Sequence, residues 1–429
     1  MPRSKLRIAM LSAHSCPVGK LGTKDTGGMS VYIRELASEL GKQGHLVDVY
    51  TRVHDPKDHQ IYELRQNARL IHLIAGEDEE IHKLAVYSHL PEFVGNLENF
   101  RKQNNLQYDL IFSHYWLSAL AGTYLQQWWH APHITMFHTL GAVKNAIREG
   151  DCLVPGESEP DLRIKTERDL VQRCHHIVAP TEREKTELIR HYGASSEKIS
   201  VVPCGVNLEE FKALDKAQAR HYLDFAYPPH KRYRGNLRNN DKIILFVGRI
   251  DPLKGLDKLI RALPYLRHIQ GLRLLVIGGG EHSQHEIERL HKLACDLNIQ
   301  EIVTFLDLVK HEQLPYFYNA ADVCVIPSYY ESFGLVALES LACGTPIVAT
   351  DVGNLESIIR QGETGYVIKD NTPRRLADKI ALLLSRSNTD IKSDWLIRAS
   401  VSKFGWTDIA EAIIRDCQAV LANYCSSAF

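Results

Sequence analysis

The sequence of 429 residues predicts an α/β protein in which two doubly wound, Rossmann-like domains face a cleft. Two observations lead to this fold class. Short apolar segments alternate with amphipathic segments of helical spacing along the first half of the chain, and a second series of the same kind begins at Lys242. A chain of this length has room for two or three domains, so each series is assigned to a domain of its own.

The first series begins with a βαβ unit. Residues 6–12 are apolar enough for a buried strand, a glycine-rich loop follows, and residues 30–43 carry apolar side chains at helical spacing. Gly44 ends that helix, and residues 46–51 form the next predicted strand, so the two strands should be parallel with a right-handed crossover. Further strands are predicted at residues 109–112, 133–137 and 177–179.

The second series starts with a predicted strand at residues 242–248. Further strands are predicted at residues 274–277, 302–305, 323–326 and 346–349, and an amphipathic helix at 406–423. The change between the series falls after residues 202–207, so the predicted units are residues 1–206, 207–404 and 405–429. A basic stretch at residues 231–238 is interpreted as a surface insertion, with binding of an anionic polymer as the alternative.

Composition limits the classes of function. The net charge of −1 and the pI near 7.1 give no overall attraction to nucleic acid or to anionic membranes, so neither is an expected partner. Nine cysteines are scattered without close pairs, which favours reduced thiols and a cytoplasmic location. No apolar run has the length of a membrane span, so no transmembrane segment is expected.

The most informative segment is residues 331–339, which begins and ends with glutamate around a Phe-Gly turn. An apolar strand ends just before Glu331, and a helix is predicted after Gly334. Ligands of open α/β sheets bind at this edge, where a helix N-terminus offers backbone N–H groups to a phosphate. A carboxylate beside a phosphate site suits the hydroxyls of a sugar or ribose. The alternative is a capping glutamate followed by a solvated helix glutamate.

Residues 246–255 carry a second signal, in which a strand ends at Gly248 and the next loop holds Arg249 and Lys254. A guanidinium fork and an ammonium group together suit a diphosphate. Two solvated loop cations are the alternative, which the glutamate pair downstream disfavours. The chain contains no Asp-x-Asp triplet, the usual carboxylate device for a diphosphate-bound metal, so neither a metal nor a cofactor is expected.

These motifs resemble those of the retaining glycosyltransferases of family 4, which have the GT-B fold, and the resemblance extends over nearly the whole chain. It implies that Glu331 lies near the donor sugar and that Glu339 holds the ribose hydroxyls. Arg249 and Lys254 would clamp the donor diphosphate, and the last helix would cross back to the first domain. The other donor-binding residues that the resemblance implies are Gly27, Gly28, Gly248, Gly278, Gly279, Leu308, Phe333, Gly334 and Leu335.

Two polar clusters of the first domain, residues 113–118 and 137–144, follow predicted strands and can both reach the cleft. A catalytic and a structural role are evenly balanced for their histidines. The clusters resemble those of sucrose-phosphate synthases and of the enzymes that join N-acetylglucosamine to inositol phosphate in mycothiol synthesis. That resemblance implies an acceptor site in the first domain, with His138 near the reacting sugar. The implied acceptor-binding residues are Lys83, Tyr115, Thr139, Lys144 and Arg163.

The expected activity is transfer of glucose or N-acetylglucosamine, with retention, from a UDP-sugar to a phosphorylated sugar or polyol. Glu331, Arg249, Lys254 and His138 are the expected catalytic residues. Front-face attack is favoured over a double displacement through Glu331, and a homodimer is one assembly that the enzyme could form. The alternatives are a membrane-peripheral transferase with a lipid or polysaccharide acceptor, a nucleotide-sugar epimerase, and a non-catalytic sensor of sugar nucleotides.

Overall fold

The structure is a computed structural model that describes residues 5–19, 26–77, 79, 81–150, 154, 156–226, 238, 240–280, 283–385 and 391–427. Two sequence predictions fall partly outside these residues. They concern residues 22–25 of the glycine-rich loop and residues 231–237 of the basic stretch.

The first half of the chain forms a sheet of eight strands in the order β3-β4-β2-β1-β5-β6-β7-β8 among the described residues. Neighbouring strands are parallel except for β3 and β4, which are antiparallel. The parallel pairing of the first two strands and all five predicted strands are therefore confirmed. The strands are β1 (Arg7–Leu11), β2 (Leu46–Arg52), β3 (Ile61–Arg65), β4 (Ala68–Leu73), β5 (Leu110–His114), β6 (His133–Met136), β7 (His176–Ala179) and β8 (Ile199–Val201).

Helices cover both faces of this sheet, because its central strands are apolar on both sides. The first helix begins at Gly28, two residues before the predicted start, and buries Ile33, Leu36 and Leu40 against the sheet. The helices of this half are α1 (Gly28–Lys42), α2 (Lys83–Gln103), α3 (Tyr115–Trp129), α4 (Gly141–Arg148), α5 (Asp161–Arg173) and α6 (Glu182–Tyr192).

The second half forms a parallel sheet of six described strands in the order β11-β10-β9-β12-β13-β14. Its strands are β9 (Lys242–Val247), β10 (Leu272–Ile277), β11 (Val303–Leu306), β12 (Val323–Ile326), β13 (Ile347–Thr350) and β14 (Gly365–Ile368). Its helices are α7 (Lys216–Ala226), α8 (Leu256–Ala262), α9 (Gln284–Asp296), α10 (Leu314–Ala320), α11 (Leu335–Ala342), α12 (Leu355–Ile358), α13 (Pro373–Leu384) and α14 (Ile391–Ala399). Two doubly wound domains are thus confirmed.

The strand order reverses at one place in each sheet, between β1 and β5 in the first and between β9 and β12 in the second. Loops that leave the carboxyl ends of these four strands diverge, and such a crevice is where doubly wound domains bind ligands. The glycine-rich loop follows β1, and Tyr115 follows β5. Arg249 and Glu331 follow β9 and β12. Both predicted site segments of the second domain therefore lie at its switch point.

The last helix, α15 (Trp406–Ser427), packs against the first domain. The Trp406 ring lies 5.4 Å from the Tyr32 ring on α1, and Thr407 Oγ1 donates to Glu39 Oε1 at 2.9 Å. Just before the helix, Gly405 pairs with Val206 in a short parallel bridge. The end of the chain therefore joins the two domains on the side of α1.

Two further expectations can be compared with the fold. No helix in the described part of the chain is both long and apolar enough to cross a membrane. The eight described cysteines are free thiols, six of them buried, while Cys152 lies outside the described residues. For the described cysteines, the prediction of scattered reduced thiols is confirmed.

Candidate active site

Lys254 and Glu331 form an ion pair where the loops after β9 and β12 meet. Lys254 Nζ lies 2.6 Å from Glu331 Oε1, and Ser328 Oγ donates to the same oxygen at 2.8 Å. The turn that carries Lys254 is fixed by Asp251, whose carboxylate accepts from Leu253 N at 2.9 Å. The two residues predicted to act on the donor sugar and its phosphate therefore neutralise each other in this state.

The glycine-rich loop of the first domain reaches the donor loops of the second. A Cβ atom added to Gly27 would lie 4.0 Å from the Arg249 side chain, and one added to Gly28 would lie 3.3 Å from Leu335 Cδ1. Leu335 is the first residue of α11, so the loop faces both Arg249 and the N-terminus of that helix. The structure thus brings four of the predicted donor-binding residues together across the cleft.

Glycine is required at two further positions that were predicted to bind the donor. Gly278 has a φ of +136°, and a Cβ there would lie 1.8 Å from the carbonyl oxygen of Gly248, so no other residue fits without moving the loop. Gly334 has a φ of +103° and precedes α11. The resulting loops bring backbone groups, rather than side chains, to the edge of the second sheet, where a phosphate or a nucleotide could approach closely.

Leu308 and Phe333 take different positions relative to this edge. Leu308 lies beside the glycine loop, because a Cβ on Gly280 would be 3.9 Å from Leu308 Cδ1. The Phe333 side chain is buried in the core, and the centre of its ring lies 6.2 Å from the centre of the Phe404 ring. Only the backbone of Phe333 could therefore contact a donor, which narrows its predicted role.

Glu339 lies on α11 with both carboxylate oxygens bonded. His311 Nε2 lies 2.8 Å from Oε1, and the Tyr318 hydroxyl donates to Oε2 at 2.8 Å. A carboxylate has about four lone-pair sites, so two acceptor positions remain for hydroxyl groups. Neither His311 nor Tyr318 was singled out from the sequence. His311 lies in the turn that follows β11, a sheet-edge position that could have marked it.

Three cations of the first domain surround the buried carboxylate of Glu159. Lys144 Nζ and Arg163 Nη1 lie 2.9 Å from its oxygens, and Lys83 Nζ lies 3.8 Å away. Burial raises the pKa of Glu159, but Arg163, Lys144 and Lys83 outweigh it and hold the pKa well below its ordinary value. This cluster unites three of the predicted acceptor-binding residues around a carboxylate that the sequence analysis missed.

Arg163 is fully buried and is held by three neighbours. Its Nε donates to Glu167 Oε1 at 2.6 Å, and its Nη2 donates to the carbonyl and the hydroxyl of Thr139 at 2.7 and 3.0 Å. The guanidinium also lies 4.8 Å from the centre of the Tyr115 ring. Nη1 has no aligned hydrogen-bond acceptor, although Glu159 is close. Glu159 thus pairs with Nη1 by charge, without an aligned hydrogen bond.

Tyr115 and His138 follow neighbouring strands. The backbone of each residue is strained, since their φ angles are +75° and +59°. Non-glycine residues rarely adopt this conformation, and it is concentrated at functional sites. His138 Nε2 lies 2.9 Å from His114 Nδ1, and burial lowers the pKa of His138 to about 3. His138 is therefore a neutral hydrogen-bonding group near pH 7.

His14 is a second residue of this region that the sequence analysis missed. Its ring lies 4.3 Å from the Tyr115 ring, on a loop that follows β1. The imidazole is buried, its Nδ1 has no hydrogen-bond partner, and burial lowers its pKa well below the ordinary value. No conspicuous motif marks His14 in the sequence. Its place after the first strand puts it beside Tyr115, one of the predicted acceptor-binding residues.

A pocket of about 400 Å³ lies between the domains, beside Glu331. It is lined by α4, α6 and the loops after β12 and β13. On its wall, Ser332 Oγ donates to Glu184 Oε2 at 2.9 Å, and Arg183 Nη2 lies 3.0 Å from Asp351 Oδ1. Burial raises the pKa of Glu184 to about 7. These contacts hold the glutamate loop of the second domain against α6 of the first.

Two facing doubly wound domains with this arrangement of loops have the GT-B fold of glycosyltransferases. The chain belongs to the family 4 glycosyltransferases. Residues 26–210 match the model for Glycosyltransferase Family 4, and residues 229–395 match the model for Glycosyl transferases group 1. The family and the fold inferred from the glutamate and arginine–lysine motifs are therefore confirmed.

Alignments with similar proteins extend over nearly the whole chain. It is 37% identical to a D-inositol 3-phosphate glycosyltransferase of Corynebacterium jeikeium over 95% of each protein. It is 35% identical to that of Corynebacterium glutamicum over 97% of this chain and 98% of the relative. A solved sucrose-phosphate synthase from Thermosynechococcus elongatus matches 98% of this chain and 100% of its own, with a TM-score of 0.85 and 30% identity. Both predicted subgroup resemblances are thus found.

Proposed function

We propose that this protein is a retaining glycosyltransferase that moves a hexosyl group from a UDP-sugar to a small phosphorylated acceptor. The observation that carries the proposal is the cluster of three cations, Lys83, Lys144 and Arg163, around the Glu159 carboxylate. A phosphate would satisfy all three cations at once. The names of the relatives support this class of acceptor, because each name includes a phosphate of a polyol or a sugar.

The acceptor cluster is adjacent to the proposed donor site. Burial and the Arg163 charge lower the pKa of Lys144 to about 8, and the charges of Lys83 and Arg249 add smaller contributions, which supports placing the two sites near each other. A donor diphosphate held by Arg249 would therefore lie beside an acceptor phosphate held by Lys144. Such proximity places a hydroxyl of the acceptor near the reacting carbon of the donor and reduces the entropic part of the barrier.

Charge stabilisation on the leaving diphosphate is the main catalytic contribution in this proposal. Arg249, Lys254 and the N-terminus of α11 supply positive charge where negative charge develops as the sugar–phosphate bond breaks. Lys254 now pairs with Glu331 at 2.6 Å, so a diphosphate would compete for the ammonium and release the carboxylate to the donor sugar. These groups could replace a metal, and we therefore propose activity without one.

The proposed step is a front-face substitution at the anomeric carbon. The bond from that carbon to the acceptor oxygen forms as its bond to the diphosphate oxygen breaks, and the acceptor proton passes to the departing phosphate. His138 is a poor base, because burial lowers its pKa to about 3. Its proposed role is to hold a sugar hydroxyl. Attack by Glu331, followed by displacement from it, is the alternative route with the same stereochemistry.

Turnover of defined substrate pairs tests the proposal. The purified protein is incubated with UDP-glucose or UDP-N-acetylglucosamine and with fructose 6-phosphate or inositol phosphate in the presence of EDTA. UDP release and product mass are measured. We expect turnover with a phosphorylated acceptor and none with the same compound lacking its phosphate. UDP binding without turnover on any of these pairs would refute the phosphorylated-acceptor assignment, and a lipid or polysaccharide acceptor would then replace it.

The Lys144→Met variant tests the acceptor assignment. Lys144 is partly exposed and bonds only to Glu159 among the hydrogen bonds described, so its removal should leave the fold intact. Loss of a charge-assisted bond to phosphate should raise the KM for the acceptor by about 10- to 100-fold. The KM for the donor should change little, and an equal rise in both would contradict separate donor and acceptor sites.

A further inference from the structure

A line of contacts connects Glu339 to the first domain through two residues outside the predicted site. His311 Nε2 lies 2.8 Å from Glu339 Oε1, and Arg34 Nη2 lies 3.3 Å from His311 Nδ1. Arg34 is on α1 of the first domain, whereas His311 and Glu339 belong to the second. The contacts therefore cross between the domains beside the place where ribose is proposed to bind.

The chemistry of the three side chains fixes the direction of these bonds. A guanidinium can only donate, so the 3.3 Å contact from Arg34 requires a lone pair on His311 Nδ1. Nε2 must then carry the proton and donate it to the Glu339 carboxylate. Arg34 thus selects the tautomer of His311 that fits Glu339.

The protonation of His311 is under opposing influences. Burial and the Arg34 charge lower its pKa, but the Glu339 carboxylate outweighs them and the pKa lies above the ordinary value. A second proton on Nδ1 would face the guanidinium and break that contact. The Arg34 contact therefore belongs to the neutral imidazole, whereas the Glu339 carboxylate favours the charged form.

The Glu339 carboxylate is held in one orientation by these bonds. The Tyr318 hydroxyl holds Oε2 at 2.8 Å, and His311 holds Oε1 at 2.8 Å, both from buried positions. Each oxygen keeps one lone-pair site for a ligand. Because Tyr318 lies in the same domain as Glu339, only the His311 side depends on how the domains are placed.

We propose that Arg34 and His311 are positioning residues that couple the docking of the two domains to the orientation of Glu339, and hence to UDP binding. The inference rests on the proposed function, in which Glu339 holds the ribose hydroxyls. When the domains close, Arg34 reaches His311 and selects its tautomer, and His311 presents the carboxylate to the ribose. When they separate, His311 loses its orienting partner.

UDP binding to the purified full chain, measured by calorimetry, tests the coupling. His311→Leu removes both hydrogen bonds and should weaken UDP binding by about 10-fold or more. His311→Gln can donate to Glu339 and accept from Arg34 at the same time, so it should bind UDP within about threefold of the parent. Arg34→Gln should show a loss similar to that of His311→Leu, and the double variant should lose little more.

Kinetics and a matched control separate coupling from a structural effect. His311→Leu should raise the KM for the donor and leave kcat and the KM for the acceptor nearly unchanged. Thr407→Val breaks a different contact of α1, the hydrogen bond from the last helix to Glu39, and should leave UDP binding unchanged. Equal losses in Thr407→Val and Arg34→Gln would mean that general weakening of the packing around α1, rather than His311, controls binding.

The outcomes distinguish this inference from the proposed function. Loss of UDP binding in Glu339→Gln together with normal binding in His311→Leu would overturn the coupling and keep the ribose site. A His311→Gln variant as impaired as His311→Leu would also overturn it. Normal UDP binding in Glu339→Gln would overturn the ribose role and the coupling with it, whereas turnover by the parent protein would still support the glycosyltransferase assignment.

Discussion

The pH dependence of acceptor use follows from the charge of Lys144. Burial, followed by the charge of Arg163, lowers the pKa of its ammonium to about 8, so Lys144 titrates in an accessible range. In the proposed acceptor site the charged form binds phosphate, and the charge is lost as the pH rises through the pKa. With a pKa of about 8, the protonated fraction falls from about 0.9 at pH 7 to about 0.1 at pH 9.

This change predicts that kcat/KM for the acceptor falls by up to about tenfold between pH 7 and pH 9. The second pKa of a phosphate monoester is about 6, so the acceptor is a dianion over most of this window and contributes little to the change. The assay is the initial rate of UDP release at saturating donor and low acceptor. Under these conditions the profile reports groups of the enzyme before acceptor binds.

Two variants make the assignment to Lys144 specific. Lys144→Arg keeps the charge at all these pH values, because the pKa of arginine is above 12, so the fall between pH 7 and pH 9 should disappear. Lys144→Met should be low and flat across the same range. A Lys144→Arg variant that keeps the fall would show that another group titrates, and the reasoning from the acceptor cluster would be refuted.

Three other predictions concern the donor loop, the domain contact and the glycine turn. Lys254→Ala should lower kcat by about 10²- to 10³-fold, as expected for one donor aimed at developing charge, and added Mg²⁺ should not restore the rate. Burial raises the pKa of Glu184 to about 7. Between about pH 4.5 and pH 7 the folded protein therefore binds more protons at this group than the unfolded chain does, so the group lowers the free energy of unfolding as the pH rises through this range. Glu184→Gln should remove this loss of stability, which amounts to up to about 3 kcal/mol. In thermal unfolding, the Tm of the variant should exceed that of the parent protein by more at pH 8 than at pH 5. Gly278→Ala should cost more than about 3 kcal/mol of unfolding free energy in denaturant titrations, because its Cβ would lie 1.8 Å from the Gly248 carbonyl. Gly193→Ala, at a φ of +69° with open space around it, should cost only about 1 kcal/mol.

Local sequence patterns were sufficient for most of the fold. Buried strands such as β1 and β9 are continuous apolar runs followed by glycine-containing loops, and parallel sheets of this kind have a limited set of topologies. Strand β3 was not predicted because its residues are largely exposed and it pairs antiparallel at the edge of the sheet. Strand β8 was missed because it has only three residues.

The residues proposed to bind the donor could be grouped from the sequence because they lie in short motifs at strand ends. Glu331 lies four residues beyond the start of the loop that follows β12, and Arg249 and Lys254 follow β9. The proposed acceptor-binding residues are different, because Lys83 and Arg163 lie 80 positions apart and both approach Glu159. The residues before Glu159 carry no pattern that determines where their loop places it, so only resemblance connected these cations.

The contacts between the domains could not be predicted from local patterns. Ser332 and Glu184 are 148 positions apart, and Arg34 and His311 are 277 positions apart. Each pair depends on how two complete domains dock, and neither residue type is unusual at its place in the sequence. The same holds for His14, whose role follows from the Tyr115 ring against which it packs.

The anomeric configuration of the product tests the central claim most directly. The protein is incubated with an α-linked UDP-hexose and the phosphorylated acceptor that supports turnover, and the product is examined by proton NMR. Retaining transfer predicts an α-glycoside of the phosphorylated acceptor, identified by the small coupling of its anomeric proton. A β-glycoside, or a product formed equally well from the acceptor without its phosphate, would contradict the account.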